Sequence, residues 1–334
     1  MIEARWYKRM QGGKVRCLLC PHQCLLDDGQ YGECRVRIND KGVLMTEIFG
    51  QISSMHSDPI EKKPLYHFYP GRFIFSIGSV GCNLYCRFCQ NCEISQIYPS
   101  EADGLYSASP MEVVGKASAI PGNIGIAYTY NEPSIWIEFI EPTAKEASNR
   151  GLKNVMVTNG YINPAPLQEL IEYIDAFSVD LKAFTDSFYR IATSSSLAPV
   201  LKTLELIRKS GRHLEIVNLV IPGLNDDPVI FEEMVKWIAN TLGRDTVFHL
   251  SAYFPMYMST EPPTPEATIH KLRDIASRYL TFVYAGNLPS EPNDTFCPQC
   301  KKLLIRRRGY HTDIQGVNSE GSCKYCGNHV FENF

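Results

Sequence analysis

The sequence has no long hydrophobic run: no stretch reaches the ~20 apolar residues a bilayer-spanning helix needs. Its N-terminus, "MIEARWYKRMQGGKVRC", lacks the apolar core of a secretory signal. It also lacks an excess of charge. Lys and Arg number 33 against 36 Asp and Glu, a net charge of −3, which gives no global electrostatic case for nucleic acid or an anionic membrane as the main partner. These absences point to the cytoplasm. What remains is ordinary globular composition, 44% apolar and 21% charged, in 334 residues, enough for a substantial core and more than one small domain.

Cysteine is the residue in surplus. The twelve fall into three sets of four: Cys17, Cys20, Cys24 and Cys34; Cys82, Cys86, Cys89 and Cys92; Cys297, Cys300, Cys323 and Cys326. Without an export signal, close C-x-x-C pairs read as metal ligands and not as disulfides. The sets divide the chain into an N-terminal metal-binding segment with four cysteines (1–66), a middle segment (67–286) and a C-terminal segment (287–334) entered through the linker-like "NLPSEPND". The stretch "SSMHSDPIEKKPLYHFYPG" reads as a proline-bearing connector.

The middle segment alternates apolar runs with helical patterns. "RFIFSIGS", "IGIAYTY", "NVMVTNG", "AFSVDLK", "HLEIVNLVIPG" and "VFHLSAYFP" read as strands, with "TFVYAGN" as a further candidate. Near-continuous β-branched strands separated by helices predict a parallel sheet covered by helices. About 220 residues for six units suits a partial (β/α)6, TIM-like barrel better than an open doubly wound sheet. Chemistry in such barrels sits at the C-terminal strand ends. Cys82, Glu132, Thr158, Asn159, Asp180, Lys182, Asn225 and His249 are the polar residues the pattern places there.

Cys82-x-x-x-Cys86-x-x-Cys89 directly follows the first of these strands. Three thiolates from one loop can hold three irons of a [4Fe–4S] cluster and leave the fourth without a protein ligand. A zinc site would call for a second C-x-x-C knuckle.

C-x-x-x-C-x-aromatic-C after the first strand, with Phe88 as the aromatic, resembles the radical S-adenosylmethionine (SAM) superfamily. "YNEP" (130–133) lies where that superfamily usually carries a Gly-Gly-Glu-Pro-like motif. Asn131 stands in place of the second glycine, and Glu132 remains able to accept from the SAM amino group. "TNG" (158–160) and "VDLK" (179–182) match strand ends of the pyruvate formate-lyase activating enzyme branch, where the corresponding Asp and Lys contact SAM. With "DPIEKKPLYHFYPG" and "LVIPGLND", the whole chain looks like the radical SAM enzyme of the AmmeMemoRadiSam system. The resemblance implies reductive cleavage of SAM to a 5′-deoxyadenosyl radical that takes hydrogen from a substrate, a low-potential donor of ferredoxin or flavodoxin type, and Memo-like and AMMECR1-like partners.

Each candidate also has a plain structural reading. Glu132 could cap the helix starting at Pro133. Asp180 and Lys182 could be a structural pair, and Thr158 and Asn159 turn residues. His249 and Tyr253 end the sixth strand, where His249 contacts SAM or substrate or is a satisfied core histidine. Asn225 and Asp226 read as caps of the next helix. Cys92 reads as a small buried apolar side chain, with a substrate-facing thiol or an auxiliary role as the alternative.

Of the flanking sets, Cys17, Cys20, Cys24 and Cys34 could close a second [4Fe–4S] cluster or a zinc site, with His22 a further possible ligand. A segment with few other sources of stability favours a structural metal. "CPQC" and "CKYC" are two knuckles around "KKLLIRRRGY", a zinc-ribbon or rubredoxin-like pattern, zinc being the commoner occupant of this spacing and iron the alternative. Lys301 occupies the position after Cys300 where Gly is usual. Lys301, Lys302, Arg306, Arg307 and Arg308 read as a solvated basic face, with RNA or an acidic partner as the alternative. A radical SAM enzyme, with a glycyl-radical-enzyme activase as one form of it, thus competes with a non-catalytic iron–sulfur electron carrier and a nucleic-acid-binding zinc protein.

Overall fold

The structure, a computed structural model, describes residues 1–288 and 292–334. Each of the seven apolar runs becomes a strand. Together with an additional edge strand they form one eight-stranded sheet in strict chain order: β1 (Ser54–Pro59), β2 (Phe73–Gly78), β3 (Asn123–Tyr128), β4 (Lys153–Thr158), β5 (Ala176–Asp180), β6 (His213–Val220), β7 (Val247–Ala252) and β8 (Val283–Gly286). β2 to β8 pair in parallel, and β1 runs antiparallel to β2. The ladder does not close: among the described residues β1 and β8 are free edges. β1 corrects the connector reading, because residues 54–59 pair with β2 along its whole length, Ser54 opposite Gly78 and Pro59 opposite Phe73.

Parallel neighbours require crossovers, and helices supply them. α1 (Pro110–Ala119), α2 (Ile137–Asn149), α3 (Pro164–Tyr173), α4 (Asp186–Thr193), α5 (Leu197–Lys209), α6 (Pro228–Trp237) and α7 (Glu266–Ala276) fill the intervals between β2 and β8. Local sequence sets their starts. Ser109 and Glu112 form a capping box on α1, and Thr185 caps α4. Asp227 caps α6 by accepting from the amides of Val229 and Ile230. Asn225 and Asp226 are therefore not the caps. Asn225 instead reaches back to the carbonyls of Lys182 (2.7 Å) and Leu219 (2.8 Å), tying two strand ends together.

Strand alternation gives the sheet two unlike faces. Residues such as Ile77, Ile126, Tyr128, Met156, Phe177, Val179 and Ile216 join the main core with the helices. Ile74, Ala127, Val155 and Ala176 share the other face, where Ile60, Leu65 and Phe68 pack over their N-terminal halves. Toward the C-terminal ends this face opens: Val157, Asp180, Leu219 and Ser251 are only half-buried.

The first fifty residues form small antiparallel sheets, Tyr7–Arg9 with Val15–Cys17 and Leu25–Leu26, and Ile2–Glu3 with Arg37–Asp40 and Val43–Thr46. A buried ion pair joins them to the helices that cover the large sheet. Arg37 Nη2 lies 2.7 Å from both carboxylate oxygens of Glu138 on α2. The C-terminal segment is a three-stranded antiparallel ribbon, β9 (Thr295–Phe296), β10 (Leu303–Arg308) and β11 (His311–Ile314). The linker-like "NLPSEPND" includes residues 289–291, which lie outside the described residues.

Arg307 departs from the solvated basic face expected of the hairpin. It is fully buried, donating to Tyr66 O (2.7 Å) and Thr295 Oγ1 (2.6 Å) with its guanidinium 4.5 Å over the Tyr66 ring. It docks the ribbon onto the underside of the sheet, while Arg306 and Arg308 on either side face solvent.

Candidate functional site

The central cysteine loop leaves the C-terminal end of β2 and is fixed on every side. Gly81 N donates to Ile94 O (2.7 Å), Tyr85 N to Thr193 O (3.0 Å), and Arg87 N to Ala192 O (3.1 Å). Gly81 has φ +84°, and a Cβ there would meet Cys34 O at 2.7 Å, so the close approach of the N-terminal segment requires glycine. Asn131 holds the start of the loop. Its Oδ1 accepts from Ser79 N (2.9 Å), and its Nδ2 donates to the carbonyls of Val80 (3.1 Å) and Gly81 (3.0 Å). The residue that replaces the usual second glycine is thus a brace for the cysteine loop.

Glu132 is entirely buried and both oxygens are engaged. Oε1 accepts from Ser134 N (2.9 Å) and Thr158 Oγ1 (2.7 Å), and Oε2 from Asn159 N (2.8 Å). It caps the short helical turn Pro133–Trp136, as the plain reading had it, and also joins the ends of β3 and β4. Burial pushes its carboxyl above the ordinary value, while the amides and hydroxyls of Asn159, Thr158 and Ser134 pull it back. Asn159 carries the chain of contacts onward: its Nδ2 donates to Asn83 Oδ1 (2.9 Å) and lies 3.7 Å from Cys82 Sγ.

Lys182 lies on the far side of the loop. Its ammonium is 2.8 Å from Asp180 Oδ2, and its backbone amide donates to Tyr189 OH (3.1 Å). Burial works against the charged amine, yet Asp180 and the nearby Cys86 hold its pKa above the ordinary lysine value. Lys182 in turn opposes the burial that pushes the Cys86 thiol up to about 12. Asn218, inconspicuous within the β6 run, fixes this corner by donating to the carbonyls of Leu181 (2.8 Å) and Lys182 (3.1 Å). Asn83 and Asn218 were not singled out from sequence. Asn83 had a signal in its place beside Cys82; an asparagine inside a strand pattern was the only signal for Asn218.

Two candidates fall outside this group. His249 is the third residue of β7, in the lower half of the sheet, and its Nε2 is 2.6 Å from Glu215 Oε2. Glu215 also accepts from the amides of Tyr66 (2.9 Å) and His67 (2.7 Å), so His249 is a satisfied core histidine under the ribbon. Phe88 is buried with its ring 5.9 Å from that of Phe188, packing the loop onto α4. Cys92 opens a one-turn helix, Cys92–Ser95, and is half-buried, not enclosed in the core as expected. Tyr253 is fully buried, its hydroxyl donating to Ser259 O (3.3 Å).

The cysteine sets differ in how their sulfurs are spaced. Cys297, Cys300, Cys323 and Cys326 bring all four ligand atoms within 4.8 Å of one another, with Cys297–Cys326 and Cys300–Cys323 each at 3.6 Å. Thiolates 2.3 Å from one tetrahedral ion stand about 3.8 Å apart, so this set fits a single metal ion. Lys301 and Gly327, after the two knuckles, have φ of +59° and +76°, so the lysine adopts the conformation glycine would take freely. Amides of Cys300 and Gln299 outweigh burial and pull the Cys297 thiol down to about 7. Among the described residues no other group of three or more His, Cys, Asp or Glu ligand atoms is drawn so close. Cys82, Cys86 and Cys89 interact electrostatically yet stand farther apart, which fits ligands on separate corners of a polynuclear cluster. His22, between the N-terminal cysteines, donates from Nε2 to Asn83 O (2.7 Å).

Comparison with known proteins agrees with this geometry. The model of the Radical SAM superfamily matches residues 76–238. The chain is 40% identical to an uncharacterized protein of Methanocaldococcus jannaschii over 99% of both chains. It is 25% identical to the (2S)-3-sulfopropanediol dehydratase activating enzyme of Klebsiella oxytoca over 36% of this chain and 38% of that one. The structure of Streptococcus suis SuiB bound to S-adenosylmethionine shares the fold, with a TM-score of 0.51 at 14% identity over 69% of this chain and 53% of that one. Residues 76–238, with the three-cysteine loop at the end of the first parallel strand, belong to the Radical SAM superfamily, whose enzymes catalyse radical reactions.

Proposed function

We propose that this chain is a radical SAM enzyme of the AmmeMemoRadiSam type, its sheet a partial (β/α)6 barrel. Cys82, Cys86 and Cys89 would hold a [4Fe–4S] cluster whose fourth iron takes SAM. The observation that supports the reading is the loop of Cys82, Cys86 and Cys89 at the C-terminal end of β2, with Cys86 buried and within electrostatic reach of Lys182 and Asp180 at the end of β5. Such a cluster with SAM supplies, on one-electron reduction, methionine and a 5′-deoxyadenosyl radical that takes a hydrogen atom from the substrate.

The protein's part is orientation and exclusion of water. Asp180, its side chain 38% exposed, and the half-buried Lys182 are the pair that would meet SAM. Glu132, Thr158, Asn159 and Asn131 would act mainly from behind, through the hydrogen bonds that fix the loop and the strand ends. The electron would come from a ferredoxin- or flavodoxin-type donor in the cytoplasm, and Memo-like and AMMECR1-like proteins would be partners. A glycyl-radical-enzyme activase is the second reading, favoured by the match to the Klebsiella activating enzyme.

Anaerobic reconstitution with iron and sulfide, then dithionite and SAM, should release 5′-deoxyadenosine. Equal release by Cys86→Ala would contradict the proposal. The activase reading further requires a stable organic radical on a partner protein, visible by electron paramagnetic resonance.

A further inference from the structure

We infer that Cys17, Cys20, Cys24 and Cys34 bind a second, fully protein-ligated iron–sulfur cluster in place of the structural zinc ion that the segment's small size suggests. The four thiols are mutual neighbours. Cys20 feels the charge of Cys17, Cys34 and Cys24, and Cys34 feels Cys17 and Cys24. Three of them are buried, and the fourth, Cys24, is half-buried with its Sγ 3.6 Å from where a Cβ on Gly32 would stand.

Their spacing selects the class of metal group. The C-terminal set provides a ruler within the same chain, with sulfurs 3.6 Å apart around the place of one ion. No three of the N-terminal sulfurs lie within 4.8 Å of one another. A tetrahedral ion would hold them about 3.8 Å apart. Like Cys82, Cys86 and Cys89, the N-terminal sulfurs are not drawn together as around one ion, which suits separate corners of a cubane. The segment has other means of holding its shape, since Arg37 pairs with Glu138 and Cys17 N donates to Cys24 O (2.9 Å). A small ion is therefore not required to pin it.

The location gives the site its relation to the proposed SAM site. Cys34 O stands 2.7 Å from where a Cβ on Gly81 would be, and His22 donates to Asn83 O, so the N-terminal segment reaches both residues flanking Cys82. Leu19 O accepts from Asn163 N (3.0 Å), which anchors the same loop beyond β4.

The test is sulfide, because neither zinc nor a rubredoxin-like iron carries any. Full-length protein is reconstituted anaerobically with ferrous iron and sulfide, and acid-labile sulfide, iron and zinc are counted. Two cubanes give about eight sulfides per chain, and the Cys82→Ala/Cys86→Ala/Cys89→Ala variant should retain about four. Adding Cys20→Ala and Cys34→Ala should remove these. About four sulfides in the wild type and none in the triple variant, with zinc bound by the N-terminal segment, overturns the inference. The wild-type count decides even where the variants fail to fold. Release of 5′-deoxyadenosine is read separately, so failure of the proposed function leaves this result intact.

Discussion

Acidification should weaken the protein through one buried imidazole, His67. Its ring lies between Phe282 (centroids 4.4 Å) and Phe331 (4.7 Å), with Nε2 2.7 Å from Tyr284 OH. Burial pushes its pKa down to about 3; Glu215 opposes this, and Arg307, His213 and His249 add to it. The folded protein therefore refuses a proton that the unfolded chain accepts near pH 6.5. The stability this contributes is present above about pH 6.5 and is lost as pH falls toward about 3. Between about pH 6.5 and 5 the loss is about 2 kcal/mol, from 1.36 kcal/mol per unit. That corresponds to about 4–8 °C in melting temperature for a unit of this size. Glu215, held well below the ordinary carboxylate value by His213 and His249 despite its burial, joins only below about pH 4.5. Differential scanning calorimetry of the wild type and His67→Phe, from about pH 7 to 5, isolates the effect, since acid loss of metal acts on both proteins. Over that range the wild type should lose about 2 kcal/mol more than the variant, about 1 kcal/mol per pH unit. Parallel curves would refute the reasoning.

Arg37→Met should cost about 3–5 kcal/mol by leaving the Glu138 carboxylate buried and unpaired, and adding Glu138→Leu should recover most of it in denaturant titrations. Gly81→Ala should push Cys34 away from the central loop, costing about 1–3 kcal/mol and lowering iron retention on gel filtration. Lys301→Gly should stabilise the ribbon by about 1 kcal/mol by relieving a left-handed lysine, seen as slower metal loss to a chelator.

The parallel strands were legible because β-branched runs bounded by turn residues have few other readings, and the cysteine sets because their spacing is chemical. β1 was hidden by its His, Asp and Pro, tolerable only at a sheet edge. His249 was misplaced because an apolar run does not show which third of the strand a polar residue occupies. Glu132 could be seen as a ligand or a cap, and only its three partners, one in the turn after β3 and two at the end of β4, show what it holds. Arg307 looked like one basic residue among several, although alternation along the hairpin between Arg306 and Arg308 already put it on the opposite face. Sulfur spacing, which separates one ion from a cluster, is absent from a linear sequence.

The most direct test of the central claim is the electron paramagnetic resonance spectrum of the reduced, reconstituted protein before and after SAM is added. If Cys82, Cys86 and Cys89 leave one iron open to SAM, the signal should shift on addition in the wild type, and the shift should vanish in the Cys82→Ala/Cys86→Ala/Cys89→Ala variant. A reduced cluster whose spectrum is unchanged by saturating SAM would contradict the account.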